Sequence, residues 1–186
     1  MVSHKIGDSR YYAVLVELCT ALATSISSPK HLILTAITTD TNDHAYAECR
    51  ELDASLHTYL TVGESVTLGD TSNMTYVVLP PKSKEWIHRP PSPMYFILLT
   101  GQAHVTFPYN DQEVSIEQGV NDILIANDVK EIGPFTAYPG DGETRALQVP
   151  SKGGMVTMHR VLEKGACNEN LRKSAPGANG DVSLEL

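Results

Sequence analysis

At 186 residues, 41% of them hydrophobic, the chain is long enough to bury a real core, since a domain of this size hides roughly 70% of the surface its unfolded form exposes. Its 14 basic and 22 acidic residues leave a net charge of -8, the wrong sign for neutralising phosphates, which argues against a nucleic-acid partner. No apolar run reaches the roughly 20 residues a membrane-spanning helix needs, and Cys19, Cys49 and Cys167, odd in number and without a CxxC, suggest neither a disulfide framework nor a zinc knuckle, leaving the cytoplasm as the expected location.

Residues 1–29 read as a helical arm. Asp8 or Ser9 can cap it, Tyr11, Val14, Leu15, Leu18 and Leu22 recur at three- and four-residue spacing, and Ser27-Ser28-Pro29 ends it. Glu17 interrupts the apolar run and Asp8 sits where a leader would be positive, so a cleaved signal is not expected and Asn73-Met74-Thr75 is only a formal sequon. The arm lacks a basic face, which favours packing on the rest of the fold or on a partner subunit over a membrane surface.

From residue 30 to 164 the texture changes to short β-branched and aromatic runs. Examples are HLILTAITT, SLHTYLTV, MTYVVLP, MYFILL, AHVTF, DILIA, TRALQVP and MVTMHRVL, with turn residues at Tyr109-Asn110-Asp111, Pro139-Gly140-Asp141-Gly142 and Lys152-Gly153-Gly154. Many short strands at this spacing predict an all-β sandwich or barrel. Residues 165–186 are small and polar and read as a flexible tail.

One stretch carries most of the functional information. WIHRPPSPMYFILLTG, Trp86 to Gly101, sets a histidine and a proline corner ahead of a hydrophobic strand closed by glycine. A later stretch places Gly119 and Asp122 before the strand Ile123-Leu124-Ile125, then Asp128 and Gly133. Together they resemble the two motifs of the cupin superfamily, in particular the small single-domain cupins found in fungal natural-product pathways. The resemblance implies an antiparallel jelly-roll barrel. His88 stands where the first metal-binding histidine of that family belongs. Pro90 takes the place of the second histidine, Met94 that of the glutamate and Pro134 that of the last histidine, so the ligand positions are mostly lost. A transition metal wants three or four converging donors at about 2 Å. With no HxH, HExxH or CxxC in the chain, neither metal nor cofactor is expected unless His57, His104 or His159 converges on His88 through the fold.

Strand alternation sorts the remaining candidates. If Met94 faces inward, so do Phe96 and Leu98, while Tyr95 faces away; on the next strand Ala103, Val105 and Phe107 point to the core and His104 does not. Such a lining suits a small apolar or aromatic substrate. His88 is the candidate proton carrier because imidazole titrates near neutrality. Arg89 is placed to stabilise developing negative charge, and Asp128 is a third catalytic candidate. Tyr76, Trp86, Thr136, Tyr138 and Gln148 join Met94, Phe96 and Leu98 as candidate substrate contacts. The turn glycines, among them Gly133, Gly140 and Gly142, read as positive-φ positions rather than phosphate cradles.

The expected function is that of a metal-independent enzyme that isomerises, cyclises or eliminates on an apolar, polyketide-like intermediate by acid–base chemistry. A metal-dependent cupin oxygenase and a non-catalytic small-molecule binder are the alternatives. A homodimer would cover an exposed barrel edge and the apolar face of the arm.

Overall fold

The computed structural model describes residues 30–59, 61–130 and 132–174. The helical arm expected over residues 1–29 lies outside them, as does the end of the chain after residue 174. The all-β expectation holds within these bounds. The strands are β1 (His31–Thr39), β2 (Ala45–Ser55), β3 (His57–Thr58), β4 (Glu64–Ser65), β5 (Thr75–Leu79), β6 (Ser83–Glu85), β7 (Met94–Thr100), β8 (Ala103–Thr106), β9 (Glu113–Ile116), β10 (Ile123–Ala126), β11 (Phe135–Tyr138), β12 (Thr144–Pro150) and β13 (His159–Lys164), followed by one short helix, α1 (Glu169–Ser174). Among the described residues no helix is long and apolar enough to cross a membrane.

The strands form two main sheets. The larger runs β13-β2-β1-β10-β7-β12-β5 and the smaller β6-β11-β8-β9, with β3 and β4 as a separate pair. Two features depart from the expected antiparallel barrel. No ladder among the described residues joins the two sheets into a closed cylinder. In addition β1 runs parallel to β10, pairing Thr35 with Leu124 and Ile37 with Ala126, because much of the rest of the fold intervenes between the two strands in sequence.

Period-2 alternation decides which face each residue serves. On the inner face of the large sheet Ile37, Phe96, Leu98 and Leu124 meet Ala103, Val105, Val114 and Ile116 of the small sheet in the main core. On its outer face Leu34, Ala36, Leu52, Tyr95 and Ile125 form a second cluster. Met94, Phe96 and Leu98 therefore share the inner face while Tyr95 takes the outer one, where its hydroxyl donates to the Leu68 carbonyl at 2.9 Å. Gly101, at φ +84°, turns β7 into β8, and a Cβ there would meet the Thr144 backbone at 2.7 Å.

β2 carries charge into the interior. Glu48 and Arg50, 5% and 3% exposed, lie on the face opposite Ala45 and Ala47. Arg50 Nε donates to Glu48 Oε1 at 2.6 Å, and the Tyr46 hydroxyl donates to Glu48 Oε2 at 2.8 Å. Burial, then the Glu48 bond, push the Tyr46 phenol above its usual range.

The cysteine expectation is corrected. Cys49 and Cys167 form a disulfide across 118 residues of sequence. They are brought together because the chain leaving β13 folds back over β1, where the Cys167 amide donates to Thr35 Oγ1 at 2.8 Å. Cys49, Cys167 and Ile33 make a third buried cluster against which Leu162 and Leu171 pack. Gly165, Cys167 and Leu171, at the start of the stretch read as a tail, are thus tied to the sheet. A buried structural bridge is the habit of oxidising compartments, so the cysteines no longer supply a reason to place the protein in the cytoplasm.

Candidate functional site

A cavity of about 170 Å³ opens between the two sheets. Its walls are apolar, with Ile37, Met94, Phe96 and Leu124 from the large sheet facing Val105 and Ile116 from the small one. Polar groups also line it: Glu85, His88, Arg89, Asp128, Thr136, Tyr138 and Gln148.

Asp128 arrives there by strand alternation. Leu124 and Ala126 of β10 face inward, and two residues beyond the end of the strand Asp128 continues the same phase, only 2% exposed. Its Oδ2 has no hydrogen-bond partner. Burial pushes its carboxyl up from the usual aspartate range to about 6, against the opposing pull of a hydrogen bond from its own backbone amide and of His88.

A second constellation involves three side chains. Thr136 and Tyr138, two apart on β11, share a face, and β11 pairs with β6 so that Thr136 lies opposite Glu85. The Tyr138 hydroxyl donates to Glu85 Oε2 at 3.0 Å, and His88 Nε2 lies 3.1 Å from that same oxygen. Burial and then Glu85 raise the Tyr138 phenol far above its ordinary value. His88 Nδ1 lies 2.9 Å from the Trp86 carbonyl, which can only accept, so Nδ1 is the donor. With Nδ1 donating to Trp86, Nε2 can bond Glu85 only as a second donor, and an imidazolium held in that way has no lone pair with which to take a proton.

The loop holding His88 is clamped by Gly133. A Cβ at that position would fall on the His88 carbonyl oxygen, and the His88 amide donates to the Pro134 carbonyl at 3.4 Å. Gly133 is required for this close backbone approach, not for positive φ as the sequence suggested; Gly140 and Gly142 are likewise absent from the positive-φ glycines.

The other sequence candidates separate cleanly. His88, Arg89, Asp128, Met94, Phe96, Thr136, Tyr138 and Gln148 all line the cavity. Leu98 is buried in the core beside it and is not a wall residue. Two expectations are overturned. Tyr76 is 54% exposed on β5, the outermost strand of the large sheet, and Trp86 is 86% exposed, lying with Phe135 and His104 in a separate surface depression. Tyr76 lies on the opposite face of β5 from Val77 and Leu79, which pack on the main core, and Trp86 lies just past the edge strand β6. Glu85 was missed, although a carboxylate three residues before His88 was the available signal.

The cupin resemblance would imply a metal held by converging imidazoles and a carboxylate, and these residues do not fit one. Glu85 and His88 direct their facing atoms at each other. His104 sits 3.5 Å from Glu113, His159 faces the Thr157 carbonyl, and exposed His57 lies on β3, so none converges on His88. Among the described residues no three His, Cys, Asp or Glu side chains group as a metal site. No known protein-family profile matches the chain, and no curated protein matches it significantly.

Proposed function

We propose that this chain is a metal-independent acid–base enzyme of cupin type that isomerises, cyclises or eliminates on an apolar, polyketide-like intermediate, with Asp128 moving the proton. The carrying observation is the Asp128 carboxyl, buried on the wall of an otherwise greasy cavity with one oxygen unpartnered. Burying such a group without a partner costs stability and offers the fold nothing in return. A carboxyl raised to about 6 is also matched to taking and returning protons near neutrality.

In the proposed cycle Asp128 Oδ2 accepts a proton from a hydroxyl or from a C–H next to a carbonyl. The electron pair moves to the carbonyl oxygen, where Arg89 or Gln148 stabilises it, and the protonated acid returns the proton to a different carbon or to the leaving oxygen. No oxidant is needed. Folding a flexible substrate into one pose between Phe96 and the small sheet supplies the remaining acceleration. In this proposal His88 and Glu85 hold the edge of the cavity in shape, and Asp128 takes the role of base that the sequence alone gave to the imidazole.

The test is proton exchange in D2O, followed by NMR, with a panel of monocyclic 1,3-diketones and enones. Wild-type protein should speed exchange over buffer, and Asp128→Asn should lose about 10²–10⁴ of that acceleration. Exchange unchanged by Asp128→Asn removes the residue from the chemistry. Stoichiometric transition metal that co-purifies and is required for exchange would replace this reading with a metal-dependent one.

A further inference from the structure

The size of the cavity and the state of each polar atom around it narrow the ligand class. An engineered apolar cavity of about 150 Å³ takes up benzene, so about 170 Å³ seats one six-membered ring with a small substituent, and a second fused ring would stand out of it toward solvent. Of the ionisable groups there, Glu85 accepts from Tyr138 and lies against His88, His88 is held by the Trp86 carbonyl and Glu85, and Arg89 is exposed to solvent. Asp128 Oδ2 remains, nine-tenths buried and more, without a partner.

We infer that the cavity takes a neutral single-ring molecule that presents one hydroxyl or enol to Asp128 Oδ2, a monocyclic phenol or cyclic enol, and discriminates against ammonium, carboxylate and fused-ring analogues. A hydroxyl satisfies the orphan oxygen with one bond while its ring lies against Met94, Phe96 and Val105. An ammonium brings three donors to a wall with one open carboxylate oxygen, and its desolvation is costly. A carboxylate seated at Asp128 meets a like charge inside the cavity, which the solvent-exposed Arg89 offsets only weakly. The inference rests on the proposed role of Asp128 but concerns recognition, not turnover.

The experiment measures calorimetric affinities of the full chain for 4-methylphenol, toluene, benzylamine, benzoate and 2-naphthol under one buffer condition. The phenol should bind about tenfold or more tightly than toluene, the worth of a hydrogen bond to a charged group. The other three should bind more weakly than the phenol, and Asp128→Leu should bring the phenol-to-toluene ratio close to one. Equal binding of phenol and toluene by wild-type protein overturns the inference, as does tighter binding of benzylamine, benzoate or 2-naphthol, or no binding at all. The wild-type ratios decide the matter even if the variant does not fold. Phenol selectivity without any proton exchange would sink the enzymatic reading and leave the ligand class standing; Asp128-dependent exchange on the monocyclic diketones with equal binding of phenol and toluene would do the reverse.

Discussion

Two buried side-chain atoms among the described residues have no hydrogen-bond partner, Arg50 Nη1 and Asp128 Oδ2, and they belong to opposite kinds of site. Arg50 lies within the large sheet on β2, flanked by β1 and β13, with Glu48 against it and Tyr46 completing the group. Its missing bond is one of five donors on a charge otherwise neutralised. Asp128 lies on the cavity wall with no ion pair in contact, and His88 opposes the effect of its burial without overcoming it. A buried charge with its complement is part of how β2 is held, whereas a buried charge without one must be maintained by the rest of the fold. The second kind is where a ligand is to be sought.

The sharpest way to break this comparison is to remove Glu48. Glu48→Ala leaves Arg50 uncompensated inside the sheet, and stripping one partner from a buried pair costs about 3–5 kcal/mol. Urea unfolding should show that loss, with little of it recovered by salt because the pair is shielded from solvent. A cost below about 1 kcal/mol would mean that the pair is not the structural element described and that the two sites do not differ in kind.

Asp128 should behave in the opposite sense, and its sign follows from linkage. Its folded-state carboxyl titrates at about 6 against 3.8 ordinarily, so between these values the folded protein binds more protons than the unfolded chain. Stability from this group therefore falls as pH rises from about 4 through 6, by roughly 3 kcal/mol for a shift of about two units. Asp128→Asn removes that dependence. The difference in unfolding free energy between variant and wild type should swing toward the variant by up to about 3 kcal/mol from pH 4 to pH 8. A pH-independent difference would place the Asp128 carboxyl in an ordinary, solvated setting and end its claim to be an uncompensated charge.

The same contrast explains what could be read from the sequence. HLILTAITT, MYFILLT and TRALQVP are recognisable as strands because burial on one or both faces demands apolar and β-branched residues. AYAECRELDAS is not, since Glu48, Arg50, Glu51 and Asp53 look like a solvated segment until Glu48 and Arg50 are seen to neutralise each other. The parallel β1–β10 pairing and the Cys49–Cys167 bridge are contacts between distant segments that local periodicity does not encode. In the candidate site, Met94, Phe96 and Asp128 follow from alternation along β7 and β10. The engagement of His88 does not, because it depends on Glu85 and the Trp86 carbonyl closing on the ring together.

The smallest effect expected is also the most local. Gly133→Ala places a methyl on the His88 carbonyl, a backbone atom that cannot rotate away, so the segments around His88 and Gly133 must separate. Overpacking of this kind costs about 1–3 kcal/mol. The informative readout is the 13C titration of the Asp128 carboxyl: as the segments part and water reaches it, the titration should move down from about 6 toward the ordinary aspartate range. Gly101→Ala supplies the contrast, because its clash is with Thr144 at the β7–β8 turn, and it should lower stability while leaving the Asp128 titration in place. If Gly133→Ala destabilises the fold without moving that titration, the burial of Asp128 is set by the strand it follows and not by the clamp on His88.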